Sequence, residues 1–260
     1  MAIRIASLRV ACTALILASS GSAHAQYTTA WIGLFDGLSG YHSAEDITLL
    51  PTGDIAVSGV YSPSSTTEFR VAAFDATGAP LWTNGLPDTI GRAWKIFELN
   101  DGTLLALGDY ENQTGTNDVL AQRYSTGGAL LDEVVINSPG LNTGDDFADA
   151  TIDPLGQVYL TGTFDDAGQT RPGLAKFSPS GALDWWVTHP LPTNWGAFGK
   201  GIAVETIGDS MAVVWSRNGS SYSAAVAFSA AGAHLWTTDL QVSTTDNNNA
   251  MTTDGLGHVL

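Results

Sequence analysis

The chain of 260 residues has little cysteine, little positive charge and no long apolar run, and each shortage excludes a class of function. Its one cysteine is Cys12. A disulfide framework, a Cys-ligated zinc and a Cys nucleophile are therefore not built from the rest of the chain. Lysine and arginine total 10 against 26 aspartates and glutamates, a formal net charge of -16. Binding polyphosphate needs clustered cations, so a nucleic-acid partner is not expected. The longest apolar stretch, Val10 to Ala18, is too short to span a bilayer, and no membrane insertion is expected. The sequence also lacks HExxH, His-x-His, an EF-hand loop and a GxSxG elbow.

What is present begins with a leader. Arg4 and Arg9 precede the apolar run, and small residues then lead to Ala23-His24-Ala25. This layout predicts a secretory signal peptide over 1–25, cleaved before Gln26, and a periplasmic or extracellular destination. Arg9 stands three before Cys12, where a lipoprotein signal would carry leucine. Loss of Arg4 and Arg9 leaves 8 basic and 26 acidic residues, a formal net charge of -18. Such acidity favours solubility and draws cations.

Self-similarity is the strongest signal in 26–260. Trp31, Trp82, Trp185 and Trp236 are separated by 51, 103 and 51 residues, and the missing step holds Asp132 in "GGALLDEV". Gly78, Gly128, Gly181 and Gly232 precede these positions, and Gly53, Gly102, Gly156, Gly208 and Gly257 recur upstream. Each copy contains four short apolar or alternating runs bounded by Gly, Asp, Asn, Pro and Ser, for example 45–50, 54–60, 69–75 and 80–85. Four antiparallel strands repeated at this period are the pattern of a β-propeller blade. A twisted four-stranded sheet has two apolar faces and buries them only by stacking on its neighbours.

The reading is therefore all-β: blades at about 43–86, 93–137, 147–188 and 200–240, a leading fourth strand at 28–35, and a truncated fifth blade at 249–260. Because Leu260 falls inside the second strand of that fifth copy, the expectation is an incomplete or open ring, or a fragment of a longer protein.

The run "DDFADATIDPLGQVYLTGTFDDAGQTRPGLAKFSPSGALDWW" resembles the SBBP-type, seven-bladed β-propeller repeats of exported bacterial proteins. The shared pattern is an aspartate, an alanine, an Asp-x-x-Gly turn, a "vYvtG" strand, a "KyspsG" turn and a Trp strand. The likeness is close in the third copy and moderate in the first. It weakens in the second, which lacks the Trp, and in the fourth, where Val214 is read at the strand-two glycine. Asp149 and Asp153 match the family's structural aspartates. Asp149 aligns with Asp46, Lys95, Gly201 and Ala250, and Asp153 with Leu50, Leu99, Glu205 and Asp254, so no ion site repeats in every blade. "FDATGAPLW" and "FSAAGAHLW" also resemble the turn and strand of quinoprotein-like propellers, a structural motif that implies no quinone.

Within a copy, the turns joining strands 1–2 and 3–4 are short and uniform, such as "PTGD" and "SPSG". The 2–3 and inter-blade 4–1 connections are long and differ between copies, such as "DTIGRAW" and "DYENQTGTND". Variable loops on a rigid scaffold place binding on one face. The candidate contacts are Tyr41, His42, Trp94, Asp109, Tyr110, Glu111, Arg171, Trp195 and Arg217. The simpler reading of Trp94 and Trp195 is packing between blades, and that of Asp109, Glu111, Asp165 and Asp166 is solvated turn charges. His42, His189, His234 and His258 show no ligand spacing. A calcium ion between the pairs Asp145, Asp146 and Asp165, Asp166 is a further expectation; no other cofactor is expected.

These observations predict an exported, non-catalytic β-propeller scaffold that binds a protein or carbohydrate through its long-loop face. Two alternatives are a secreted polysaccharide-active or other hydrolytic propeller enzyme and a calcium-stiffened repeat module.

Overall fold

The computed structural model describes residues 41–62, 66–137, 144–166, 169–189, 197–204, 211–217 and 223–239. The proposed signal peptide, the 28–35 strand and the 249–260 blade lie outside these residues. Among the described residues, fifteen strands, all paired antiparallel, form four successive four-stranded units.

Blade I comprises β1 (Tyr41–Leu49), β2 (Ile55–Ser62), β3 (Glu68–Phe74) and the first half of β4 (Pro80–Glu98). Blade II takes the second half of β4, then β5 (Leu104–Glu111), β6 (Asn117–Tyr124) and β7 (Leu130–Ile136). Blade III is β8 (Asp146–Ile152), β9 (Val158–Asp166), β10 (Gln169–Phe177) and β11 (Leu183–Thr188). Blade IV is β12 (Ala197–Val204), β13 (Met211–Arg217), β14 (Ser223–Phe228) and β15 (His234–Asp239).

The connection "DTIGRAW", expected as a loop between the first two blades, is instead part of one 19-residue strand. β3 pairs with Gly85 and then with Ile90, so the residues between leave the ladder, and Gly91 resumes pairing with β5. Gly85 permits this excursion, because a Cβ there would lie 2.0 Å from the Phe69 carbonyl oxygen.

The repeated glycines have a common cause. In the 1–2 and 3–4 turns, residue i+3 donates to the carbonyl of residue i, as in Gly78 N to Asp75 O at 2.8 Å and Gly156 N to Asp153 O at 2.9 Å. Gly53, Gly78, Gly102, Gly128, Gly156, Gly181 and Gly232 all hold φ between 78° and 86°, the left-handed region that glycine occupies without strain. Asp153 completes its turn by accepting from Leu155 N at 2.9 Å and Gln157 N at 2.8 Å.

Each first strand carries a bulge at the same place. Pairing shifts between Ala44 and Asp46, Ala93 and Lys95, Phe147 and Asp149, and Gly199 and Gly201. The extra residues are Glu45, Trp94, Ala148 and Lys200. Opposite the bulge stands the strand-two glycine: a Cβ on Gly59, Gly108 or Gly162 would lie 2.0, 1.9 or 2.5 Å from the carbonyl oxygen of Ser43, Arg92 or Asp146. In blade IV the residue opposite Gly199 is Trp215, whereas Val214 pairs with Gly201. The strand-two glycine position read at Val214 is therefore held by Trp215, one residue later.

Alternation along the strands sends side chains to both faces, and the core lies in the seams. Leu104, Ala106 and Leu120 of blade II pack with Ala56, Phe69 and Val71 of blade I. Leu105, Leu107 and Val119 pack with Phe147, Leu160, Phe164 and Phe177 of blade III. Tyr159 and Leu174 meet Ile202, Val226 and Phe228 of blade IV. Each fully buried Leu or Phe contributes about 1.5–3 kcal/mol.

Polar ties cross the same seams. On the outside, Trp82 Nε1 donates to Thr126 O at 2.8 Å and Trp185 Nε1 to Ala230 O at 3.1 Å, each indole lying against the turn glycine of the next blade, Gly128 or Gly232. The II–III seam has Asp132 in the Trp position, exposed, and Arg123 and Leu99 occupy the space against Gly181. On the inside, Asp46 accepts from Ile96 N at 3.1 Å, and Asp149 accepts from Ile202 N at 3.4 Å. Lys95, at the aligned position in blade II, cannot accept and instead lies 3.5 Å from Asp149. First strands thus neighbour first strands across successive seams, while fourth strands expose Leu81, Leu130, Leu131 and Leu235.

Candidate functional site

The end of each blade where strand 1 begins and strand 2 finishes is the long-loop end. There, residues of three blades converge around Trp94. As the extra residue of a bulge, Trp94 is re-aimed relative to its neighbours. It packs against the II–III core and donates Nε1 to Asp109 Oδ2 at 2.7 Å. Asp109 stands on β5 directly opposite Arg92. The Arg92 guanidinium lies 4.4 Å from the Trp94 ring centroid, and its Nη1 is 3.8 Å from Glu45 Oε1, the bulge residue of blade I. From blade III, Asp146 acts on Asp109 through its charge and accepts from Asn117 Nδ2 at 3.1 Å.

Burial raises the Asp109 carboxyl to about 6, and the Asp146 charge pushes the same way. The Trp94 hydrogen bond and the Arg92 cation oppose both and lose. A carboxylate taken from water thus meets only partial compensation.

The sequence-level candidates divide accordingly. Trp94 and Asp109 are brought together. Tyr110 packs against the I–II core instead, and burial raises its hydroxyl. His42 stacks on Tyr61 with centroids 4.8 Å apart, and Arg70, bonded to the buried Glu68, lies 5.3 Å from the Tyr61 ring. Glu111 ends β5 half-buried, and Arg171 is half-buried on β10. Trp195 lies outside the described residues, as do the side chains of Tyr41 and Arg217. Arg92, Glu45 and Asn117 were missed; the signal for the first two was their place beside the bulge, which only the paired register exposes.

One expectation for the carboxylates, that they are solvated turn charges, requires correction. Asp109 is not a solvated turn charge, and Asp145 and Asp165 are buried. Asp145 Oδ1 accepts from Asp165 N at 2.9 Å and its own amide donates to Asn117 O at 2.7 Å, so it anchors the 4–1 connection to blade II and to β9. Asp145 and Asp165 thus adjoin; among the described residues no group of three or more His, Asp or Glu side chains is arranged to hold a metal. The Asp166 side chain lies outside them.

No family model matches the chain, and no curated protein is significantly similar to it. Among solved structures it is similar to the Penicillium chrysogenum α-L-arabinanase complexed with arabinobiose: 13% identity over 87% of this chain and 75% of that one, TM-score 0.50. It is also similar to a quinonprotein alcohol dehydrogenase-like protein from Bacteroides thetaiotaomicron (13% identity, 77% of this chain and 46% of that one, TM-score 0.42) and to Sqt1 from Chaetomium thermophilum (15%, 76% and 45%, TM-score 0.44). The chain spans less than half the length of these last two. The blades, their seams and the likeness to the arabinanase structure define a β-propeller. At 13% identity this likeness shows the fold alone, and the fold selects no activity.

Proposed function

We propose that this chain is an exported, non-catalytic propeller scaffold of the SBBP type that binds neutral carbohydrate on its long-loop face. The observation that carries the reading is the convergence of Glu45, Arg92, Asp109 and Asp146 from three blades beside Trp94. Planar Arg, Asp and Asn groups match the paired hydroxyls of a sugar. Arg92 is already balanced by Glu45 and Asp109, and the chain's net charge is -16, so an acidic ligand would be repelled. The indole face holds Arg92 rather than standing open, which makes polar contact, not ring stacking, the main recognition. Titration calorimetry with neutral and uronate-rich oligosaccharides tests this. Binding of the neutral set, weakened about tenfold or more by Arg92→Ala, is expected; no heat, or heat unchanged in the variant, would sink it.

A hydrolytic reading is favoured by one observation, the raised Asp109 beside the charged Asp146, since glycoside hydrolysis pairs a protonated with an ionised carboxyl. Release of reducing ends by the wild type, abolished by Asp109→Asn, would replace the scaffold reading with this one.

A further inference from the structure

The sequence scatters its histidines without ligand spacing, yet the repeat brings two of them face to face across the III–IV seam. His189 follows β11, where its amide donates to Pro172 O at 2.9 Å and extends the ladder by one step. Its ring is buried, set edgewise to Phe228 at 6.1 Å and to His234 at 4.8 Å with planes 81° apart. His189 Nε2 lies 3.0 Å from Thr237 Oγ1, and His234 Nε2 lies 2.8 Å from the same oxygen. Two imidazole nitrogens from adjacent blades therefore aim at one point, and that point is occupied by an exposed hydroxyl.

We propose that His189 and His234 form a surface site for a divalent transition ion of the copper or nickel type, with water completing its coordination, and that the ion clamps blade III to blade IV. Imidazole nitrogen selects such ions over calcium and magnesium, which take oxygen. Bonds of about 2.0–2.1 Å to nitrogen, as zinc makes, are shorter than the present contacts to oxygen. The difference is met by rotation of His234, which is exposed, while the packed His189 stays fixed; Thr237, also exposed, swings aside. The bland account of the same contacts is a hydrogen-bonded His–Thr–His chain with no ion, and the two differ in what a metal does.

The experiment is thermal unfolding of the full chain in chelator-treated buffer, with nickel, copper, calcium or magnesium added singly. Nickel or copper should raise Tm by at least about 2 °C at saturation, with calcium and magnesium ineffective. His234→Ala, an exposed site, should melt close to the wild type without metal and lose the rise; Thr237→Val should keep it. No rise in the wild type, an equal rise in His234→Ala, or an equal rise with calcium would each overturn the proposal.

Discussion

Replacing Asp109 by asparagine should stabilise the protein at high pH and do progressively less as the solution becomes acidic. In the folded chain this carboxyl is pushed from an ordinary 3.8 up to about 6, chiefly by partial removal from water. Its folded form holds a proton more tightly than its unfolded form, so the stability it contributes is full below 3.8 and is lost as pH rises through 6. At about 1.4 kcal/mol per unit the whole span is about 3 kcal/mol, of which about 2–3 kcal/mol falls between pH 4 and pH 8. Asparagine keeps an oxygen for the Trp94 indole. It also buries an amide NH₂ whose cost, about 1–2 kcal/mol if unpaired, does not vary with pH. The quantity to measure is therefore the change with pH in the difference between variant and wild type, from urea unfolding at pH 4 and pH 8. The variant should gain about 2–3 kcal/mol on the wild type over that range. A difference that stays constant would refute the burial argument. Asp146→Asn should shrink the wild-type pH effect, because it removes the charge that helps to raise Asp109.

Two further outcomes test the seams. Trp82→Ala should cost about 2–3 kcal/mol in chemical unfolding, since it empties the space under Gly128 and removes the bond to Thr126 O, while Trp236→Ala, at a site 44% exposed, should cost under about 1 kcal/mol; equal costs would contradict the seam assignment. Lys95→Asp restores the aspartate of blades I and III but places a second carboxylate beside Asp149, so it should destabilise by about 1 kcal/mol at neutral pH and less in acid, and a stabilised variant would show that repeat consensus outweighs charge here.

Much of the architecture was legible because each blade states it again. A glycine at φ near 80° tolerates few replacements, so Gly78, Gly128, Gly181 and Gly232 kept register where other residues drifted. The Trp spacing was legible for a similar reason: an indole that fills one seam and bonds one carbonyl leaves little freedom. Asp132 broke that pattern without breaking the seam, because Arg123 and Leu99 supply the lost volume from the other side. The 4–1 connection of the first two blades was misread since "DTIGRAW" has loop composition; only the pairing of Gly91 and Arg92 with Tyr110 and Asp109 makes it strand.

The site was harder to read, and the bulge is the reason. An extra residue in strand 1 breaks the two-residue alternation from which facing is inferred, so whether Trp94 pointed toward a seam or toward Asp109 could not be counted off from its neighbours. The strand-two glycine is the trace this geometry leaves in sequence, because the displaced carbonyl occupies the place of its Cβ. The flanks of the bulge are held by sterics and by ties between blades, whereas the bulged residue itself is Glu45, Trp94, Ala148 or Lys200, with no chemistry in common. The register of the bulge survives changes on both sides of it, Ala44, Ala93, Phe147 and Gly199 before and Asp46, Lys95, Asp149 and Gly201 after, so it is the backbone that repeats and not the side chains. Trp94 uses that freedom to pack on the II–III core and to hold Asp109, which stands opposite Arg92.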